Sequence, residues 1–236
     1  MSADRPLTPP DGVAASVADE QHKKNRLELI IAILLGIVSI GIAYASFQAA
    51  LYDSEMAAAY QRGTALSTEA ESLYLEGNQQ YVQDAELWNQ LLQLSIEAES
   101  GDPTIAANAQ ATSDVLAFQA VSEDLAAAIA WSDEQNAADP ETYYSPLDSE
   151  DYRAALFGGY EATAAEAAAA VEEGDEANSL GDRLMLYTVL MSISLFLLGI
   201  AAVVRQYRVQ LLLVFSGSAI FALAVILTAL VPFQPL

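Results

Sequence analysis

The chain has 236 residues, of which 53% are hydrophobic and 17% charged, and its formal net charge is −23. A soluble domain rarely combines such a hydrophobic content with so few charged residues, so the composition indicates a membrane protein. The absence of cysteine excludes disulfides, thiolate metal sites and cysteine nucleophiles.

The charges are segregated along the chain. Residues 53–182 contain 27 acidic residues and only two basic ones, Arg62 and Arg153, which gives this region a net charge of −25. The rest of the chain holds seven basic and five acidic residues. We therefore expect apolar membrane segments on either side of an acidic region that faces water.

The N-terminal part of the chain predicts a tail followed by a membrane span. Residues 1–26 begin with a stretch interrupted by prolines and glycine, which predicts a disordered cytoplasmic tail. Residues 27–52 predict the first transmembrane helix, because the run from Leu29 to Tyr52 is apolar and uncharged. A cleaved signal peptide is the alternative, but the run is too long and no clear small-residue cleavage site follows.

Residues 53–183 predict an acidic extracytoplasmic domain built from helices. Ala, Glu, Gln and Leu dominate, and apolar residues recur every three or four positions. Two parallel grids with seven-residue spacing predict a coiled-coil-like seam of candidate helix contacts. The grids consist of Tyr60, Tyr74, Tyr81 and Trp88, and of Leu66, Leu73, Leu87 and Leu94.

Residues typical of helix ends in this domain predict three helices. The first ends at Ser100-Gly101, where glycine allows a left-handed cap, and Asp102-Pro103 starts the second. The second helix carries one apolar face and fades near Asn136. That face comprises Val115, Phe118, Val121, Leu125 and Ile129. A loop with the sequence AADPETYYSPLDSED then leads to a third helix that continues towards the second span.

An odd number of helices is awkward for a chain that leaves a membrane and returns to it. Either the first helix breaks at Gly77-Asn78 to give a four-helix bundle, or it stays whole and the loop climbs back. The grid passes through Gly77 without a change of phase, and one interior glycine costs only about 1 kcal/mol. The sequence therefore favours the unbroken helix.

Two further apolar stretches close the chain. Residues 184–204 and 209–231 predict the second and third transmembrane helices, joined by a cytoplasmic turn at 205–208 and followed by an extracytoplasmic C-terminus at 232–236. Small residues at four-residue spacing predict close helix packing within the spans. They are Ala32 and Gly36, then Gly41, Ala45 and Ala49, and finally Ser218 and Ala222.

Basic residues beside the spans predict the orientation, because such residues tend to remain on the cytoplasmic side. These topology anchors are Lys23, Lys24, Arg26, Arg205 and Arg208. They predict a plasma-membrane protein with a cytoplasmic N-terminus and with the acidic domain outside. The expected fold class is all-α, with three transmembrane helices and an antiparallel helical stalk or bundle inserted between the first and second span.

The run YASFQAALYDSEMAAAYQRGTALSTEAESLYLEGNQQYVQDAELWNQ, residues 44–90, resembles the start of a group of uncharacterised prokaryotic membrane proteins. The group has one span, an outer helical region and a closing two-span hairpin. The resemblance supports the layout and implies no activity. The layout is also similar to four-helix sensory ectodomains, although the short cytoplasmic segments here leave no room for an output domain.

The sequence predicts no catalytic, cofactor or metal site. It shows no nucleophile elbow or phosphate loop, and no Asp, Glu, Lys, Arg or His within the apolar runs 29–52, 184–204 and 209–231, so transport by this chain alone is also not expected. The expected partners are the lipid bilayer and either copies of the chain or another membrane protein, with no nucleic acid. The acidity fits a solvated surface, a salt adaptation or a binding surface for cations or a basic partner.

These features favour a non-enzymatic membrane protein whose outer domain mediates assembly, as a scaffold or accessory subunit. One alternative is a sensor component that binds a ligand outside and acts through a separate cytoplasmic protein. Another is an oligomeric pore, in which Ser39, Ser46 and Gln48 would converge.

Overall fold

The computed structural model describes the backbone of residues 11–235 and the side chains of residues 25–235. Within this part of the chain every regular element is helical, so the predicted all-α class is confirmed there. In chain order the elements are α1 (Asp11–Ala98), α2 (Pro103–Ala120), α3 (Glu123–Ala138), a 3-10 turn (Pro146–Asp148), α4 (Glu150–Val203) and α5 (Tyr207–Ala229).

Three of the described helices, α1, α4 and α5, are long and apolar enough to cross a membrane. The predicted span 27–52 lies in α1, and the span 184–204 lies at the end of α4 except for its last residue. The span 209–231 lies in α5 except for its last two residues. The chain is thus a membrane protein by the length and composition of its helices. Helix α1 begins at Asp11, inside the segment predicted as a tail, and residues 1–10 lie outside the described part.

Helix α1 is continuous through Gly77-Asn78, which confirms the unbroken helix. It ends at Ala98, before Ser100-Gly101, and no described glycine has a positive φ, so the predicted left-handed cap at Gly101 is wrong. The start of α2 is as predicted. The Asp102 carboxylate accepts a hydrogen bond from the Thr104 backbone N–H at 2.8 Å, and Pro103 takes the first helical position.

The prediction of one long second helix is wrong, because the helix is interrupted at Val121 and Ser122, between α2 and α3. Ser122 has extended backbone, and its hydroxyl accepts a hydrogen bond from the Leu125 N–H at 3.1 Å. The acidic Glu123 and Asp124 follow in the first turn, where the helix dipole favours negative charge. Four helices therefore lie within residues 53–183. Because this number is even, the loop no longer has to return along the length of a helix.

The chain divides into two compact units. The membrane unit comprises the residues up to Ala58 and those from Glu173 onward, and the acidic unit comprises Ala59–Glu172.

The membrane unit packs α1, α4 and α5 around an apolar core. Along α1 the buried residues Ile31, Val38, Ala45 and Tyr52 recur every seven positions, which is the spacing of a coiled-coil seam. The core itself is formed by Val38, Ala45, Met191, Leu198 and Ala224.

Helices α4 and α5 approach closely at a glycine. The Ser194 hydroxyl donates a hydrogen bond to the Gly217 carbonyl at 2.7 Å, and a Cβ atom added to Gly217 would lie 3.1 Å from the Leu198 side chain. Small residues and an interhelical hydrogen bond are the usual means by which helices associate in lipid.

The small-residue stripes have different surroundings. Ala45 and Ala49 are buried, and a Cβ atom on Gly41 would lie 3.1 Å from the Phe221 ring. Ala32 and Gly36 are exposed, as is Ala222, while Ser218 is half-buried. The stripe in the second half of the first span is therefore the one used for packing within the chain.

In the acidic unit α1 and α4 run antiparallel. Gly63 lies against Ala167 and Val171, Gly77 lies against Leu156 further along, and Asp84 contacts Tyr152. Residue numbers that increase along α1 are thus paired with residue numbers that decrease along α4. Leu125 and Ala128 of α3 complete a small core at this end of the helix pair.

Candidate interaction surface and the Asp84 cluster

The predicted topology anchors border the apolar stretches of the helices. Arg26 is exposed in α1, Arg205 follows the end of α4, and Arg208 lies in the first turn of α5, also exposed. The side chains of Lys23 and Lys24 lie outside the described residues. The orientation that these residues predict stays a prediction.

The predicted seam residues flank the contact between α1 and α4. All are half-buried except Tyr74, which is 46% exposed. The buried centre of α1 in this unit is a third line with the same spacing of seven. It consists of Gly63, Ala70, Gly77, Asp84 and Leu91.

The small residues of this central line allow close contact between the helix backbones. A Cβ atom added to Gly77 would lie 2.5 Å from the Leu156 carbonyl oxygen, and one added to Gly63 would lie 2.9 Å from the Val171 side chain. The large seam residues then pack beside the line, as Tyr74 does against the rings of Phe157 and Tyr160, with centroids 5.9 and 5.3 Å away. The signal for this arrangement was the seven-residue spacing of Gly63, Ala70 and Gly77.

One member of the central line is a carboxylate. Asp84 and Tyr152 are each 2% exposed, and the Tyr152 hydroxyl donates a hydrogen bond to Asp84 Oδ2 at 2.7 Å. The Gln80 amide donates to Asp84 Oδ1 at 2.8 Å. We call these three residues the Asp84 cluster. Two donors thus satisfy a buried charge that would otherwise be strongly destabilising.

The surroundings of the Asp84 cluster all change the pKa of Tyr152 in the same direction. Burial, followed by the hydrogen bond to Asp84, raises the pKa of the Tyr152 phenol above its ordinary range. Leu125 and Ala128 of α3 pack with Tyr152 in an apolar core. The phenol is therefore held in its neutral, hydrogen-donating form, as a structural link between α1 and α4.

The loop after α3 is fastened to that helix. The Asn136 side chain accepts from the Tyr144 N–H at 2.8 Å and donates to the Tyr144 carbonyl at 2.9 Å, and the Ser132 hydroxyl donates to the same carbonyl. The Tyr144 ring also packs edge-on against Trp131. Tyr143, in contrast, is 64% exposed.

Helix α2 presents an apolar surface without a partner in the unit. Ala107, Ala111, Val115 and Phe118 are all exposed, and their spacing of four, four and three residues puts them on one helix face. Phe118 is 91% exposed. We call these four residues the α2 stripe. The single charged residue in the 18 residues of α2 is Asp114, in a domain otherwise rich in carboxylates.

The remaining charges form no evident ligand site. Among residues 25–235, no group of three His, Cys, Asp or Glu side chains is placed to hold a metal ion. Arg153 contacts Asp148 at 3.5 Å in an exposed pair, which contributes little to stability. Gln48, a residue of the pore hypothesis, exchanges hydrogen bonds with the backbone of Gln234, and the Ser39 hydroxyl donates to the Leu35 carbonyl of its own helix.

Comparison with known proteins finds no family model, curated protein or solved structure that matches this chain.

Proposed function

We propose that this chain is a non-enzymatic plasma-membrane protein whose acidic helical domain, outside the cytoplasm, mediates assembly with copies of itself or with another membrane protein. The observation that carries the proposal is the α2 stripe. A phenylalanine that is 91% exposed at the end of an almost uncharged helix is a poor surface for water and a good one for a partner.

Electrostatics favours the same surface. Residues 53–182 carry a net charge of −25, so two copies repel each other wherever their carboxylates come within the Debye length of about 10 Å at 0.1 M salt. Approach along α2 opposes few like charges, because the single charged residue of this helix is Asp114, which lies on the stripe face between Ala111 and Phe118. The stripe is thus a face on which copies of an acidic protein can meet with little repulsion.

A Phe118→Glu substitution tests this proposal in the full chain, purified in mild detergent. We expect the wild type to form an oligomer, measured by light scattering. In the variant the dissociation constant of the oligomer should be more than about tenfold higher, because the contact would bury an unpaired charge. Leu75→Glu is the matched control, since Leu75 is an exposed apolar residue on α1.

Two outcomes contradict the proposal. One is a larger effect of Leu75→Glu than of Phe118→Glu, which would move the contact to α1. The other is a wild-type monomer that also captures no protein in native membranes when a photoreactive side chain replaces Phe118.

The sensor hypothesis has one observation in its favour, the continuity of α1 through the first predicted span and on to Ala98. An unbroken helix can carry a displacement from one end to the other. A soluble ligand that raises the melting temperature of the acidic domain would support this alternative over assembly.

A further inference from the structure

A groove on the membrane unit is lined almost entirely by apolar side chains. Its volume is about 810 Å³. Ile37, Ile40 and Tyr44 of α1 form one wall, and Val225 of α5 and Phe233 form part of the other. The size is within the range of about 300 to 1,000 Å³ that is usual for sites that bind small molecules.

Hydrogen bonds fix the segment that closes one end of the groove. This C-terminal strap, residues 230–234, follows α5, and four of its residues line the groove. The Tyr52 hydroxyl donates to the Pro232 carbonyl at 2.8 Å, and the Gln234 N–H donates to the Gln48 side chain at 3.1 Å. The Gln234 amide also donates to the Glu55 carboxylate. The apolar groove thus ends at a cluster of polar groups.

The length of the groove distinguishes between possible occupants. From Ile37 to Gln48, where the strap is bound, α1 rises about 16 Å at 1.5 Å per residue. This is about half of a hydrocarbon core of about 30 Å. A partner helix that crossed the whole core would extend well beyond the groove and collide with the strap, whereas a lipid chain from one leaflet has the matching length.

We propose that this groove binds one acyl chain of a bilayer phospholipid, from the leaflet on the side of the strap. Ile37, Ile40, Tyr44 and Val225 lie in the predicted spans 27–52 and 209–231, so hydrocarbon is the medium around them. Phe233 lies in the segment 232–236, which is predicted to follow the third span. The headgroup end of the chain would lie near Gln48, Tyr52 and Gln234, whose polar groups mark the end of the apolar lining. The groove shares no residue with the α2 stripe, so neither proposal depends on the other.

Native mass spectrometry of the full chain in mild detergent tests the site, with palmitoyl-oleoyl-phosphatidylglycerol added as the probe. Val225→Trp fills the groove from a wall residue that is already exposed. Val189→Trp is the matched control, because Val189 is an exposed valine of α4 that does not line the groove. We expect one retained lipid per wild-type or Val189→Trp chain, and more than about tenfold weaker retention by Val225→Trp.

A second variant keeps the test independent of the folding of the first. Ile40→Trp fills the groove from the α1 wall and must produce the same loss of lipid, with a helical circular dichroism spectrum equal to that of the wild type. The proposal is overturned by wild-type protein that retains no lipid, or by equal retention in all variants. Dissociation of a dimer by Val225→Trp would also overturn it, since the groove would then hold a second copy of the chain.

Discussion

Asp84 is a buried carboxylate whose hydrogen bonds come from its own helix and from α4. Gln80 contributes the local donor and Tyr152 the distant one, 68 residues further along the chain. A hydrogen bond to a charged group contributes about 1.5–3 kcal/mol, and the loss of one partner leaves the other desolvated without compensation. The pair therefore holds α1 and α4 together far more specifically than the alanines and glycines beside it.

Tyr152→Phe removes the donor and keeps the ring. We expect the free energy of unfolding of the acidic unit to fall by about 1.5–3 kcal/mol, whereas Tyr143→Phe, at an exposed position, should change it by less than about 0.5 kcal/mol. Both tryptophans of the chain, Trp88 and Trp131, lie in the acidic unit, so their fluorescence during denaturant unfolding reports on that unit.

The pH dependence of this difference follows from the raised pKa of Tyr152. The folded protein holds the phenolic proton more tightly than the unfolded chain, in which the pKa of a tyrosine is about 10. The contribution of Tyr152 is therefore complete below pH 10 and is lost as the pH rises above it. The gap between the wild type and Tyr152→Phe should shrink in that range, and a gap independent of pH would contradict this account.

At the scale of elements, the contact between α1 and α4 depends on glycine. Gly77→Ala would place a methyl group 2.5 Å from the Leu156 carbonyl oxygen, so the backbones must separate. We expect a net loss of stability, because overpacking costs about 1–3 kcal/mol and the gain in helix propensity is only about 1 kcal/mol. The measurement is again tryptophan fluorescence during unfolding.

Gly158→Ala provides the control of opposite sign. Gly158 also lies inside a helix of the acidic unit, but a Cβ atom there would meet nothing within 4 Å. This substitution should raise the free energy of unfolding by up to about 1 kcal/mol. Equal changes in the two variants would show that helix propensity, not the contact with α4, decides the effect.

Much of this helical layout could be predicted from the sequence, because hydrophobic periodicity and apolar length act locally. The continuity of α1 follows from a grid that keeps its phase at Gly77. The break at Val121 and Ser122 is not predicted by this periodicity, since the apolar face from Val115 to Ile129 continues the helical period across it and the Ser122 cap is a weaker, short-range signal.

The candidate sites were less accessible to such reasoning. The sequence predicts helix contacts at the large residues of the two grids, whereas the closest contact uses the small residues between them. No local rule distinguishes the buried Asp84 from the many solvated carboxylates, because its partner Tyr152 is brought to it only by the fold. The lipid groove likewise needs residues from both ends of the chain.

At the scale of the whole molecule, the predicted orientation can be tested because the chain has no cysteine. Single cysteines at exposed positions, Asp114→Cys in α2 and Gln206→Cys between α4 and α5, can be treated with a membrane-impermeant maleimide. We expect Asp114→Cys to be labelled in intact cells and Gln206→Cys only after permeabilisation, since Arg205 and Arg208 favour the cytoplasmic side. The reverse pattern would invert the topology.

The net charge also has a consequence for stability. Carboxylates along the acidic unit repel one another, and the Debye length falls from about 30 Å at 0.01 M salt to about 3 Å at 1 M. We expect the melting temperature of the unit to rise over this range. Replacement of the exposed Glu161, Glu166 and Glu172 by glutamine should reduce the slope, and a melting temperature unaffected by salt would exclude self-repulsion as a significant term.

The small residues that repeat along α1 leave its alignment with α4 ambiguous, and a single polar pair removes this ambiguity. Where small residues recur every seven positions, sliding α4 past α1 by two turns would match alanine with glycine almost as well as before, and packing alone would not choose between the alignments. Such a slip would bring the Tyr152 hydroxyl opposite Gly77 or Leu91, which offer no side-chain acceptor, and would leave Asp84 charged in an apolar setting. The aspartate thus fixes the alignment of two long helices whose surfaces would otherwise tolerate several.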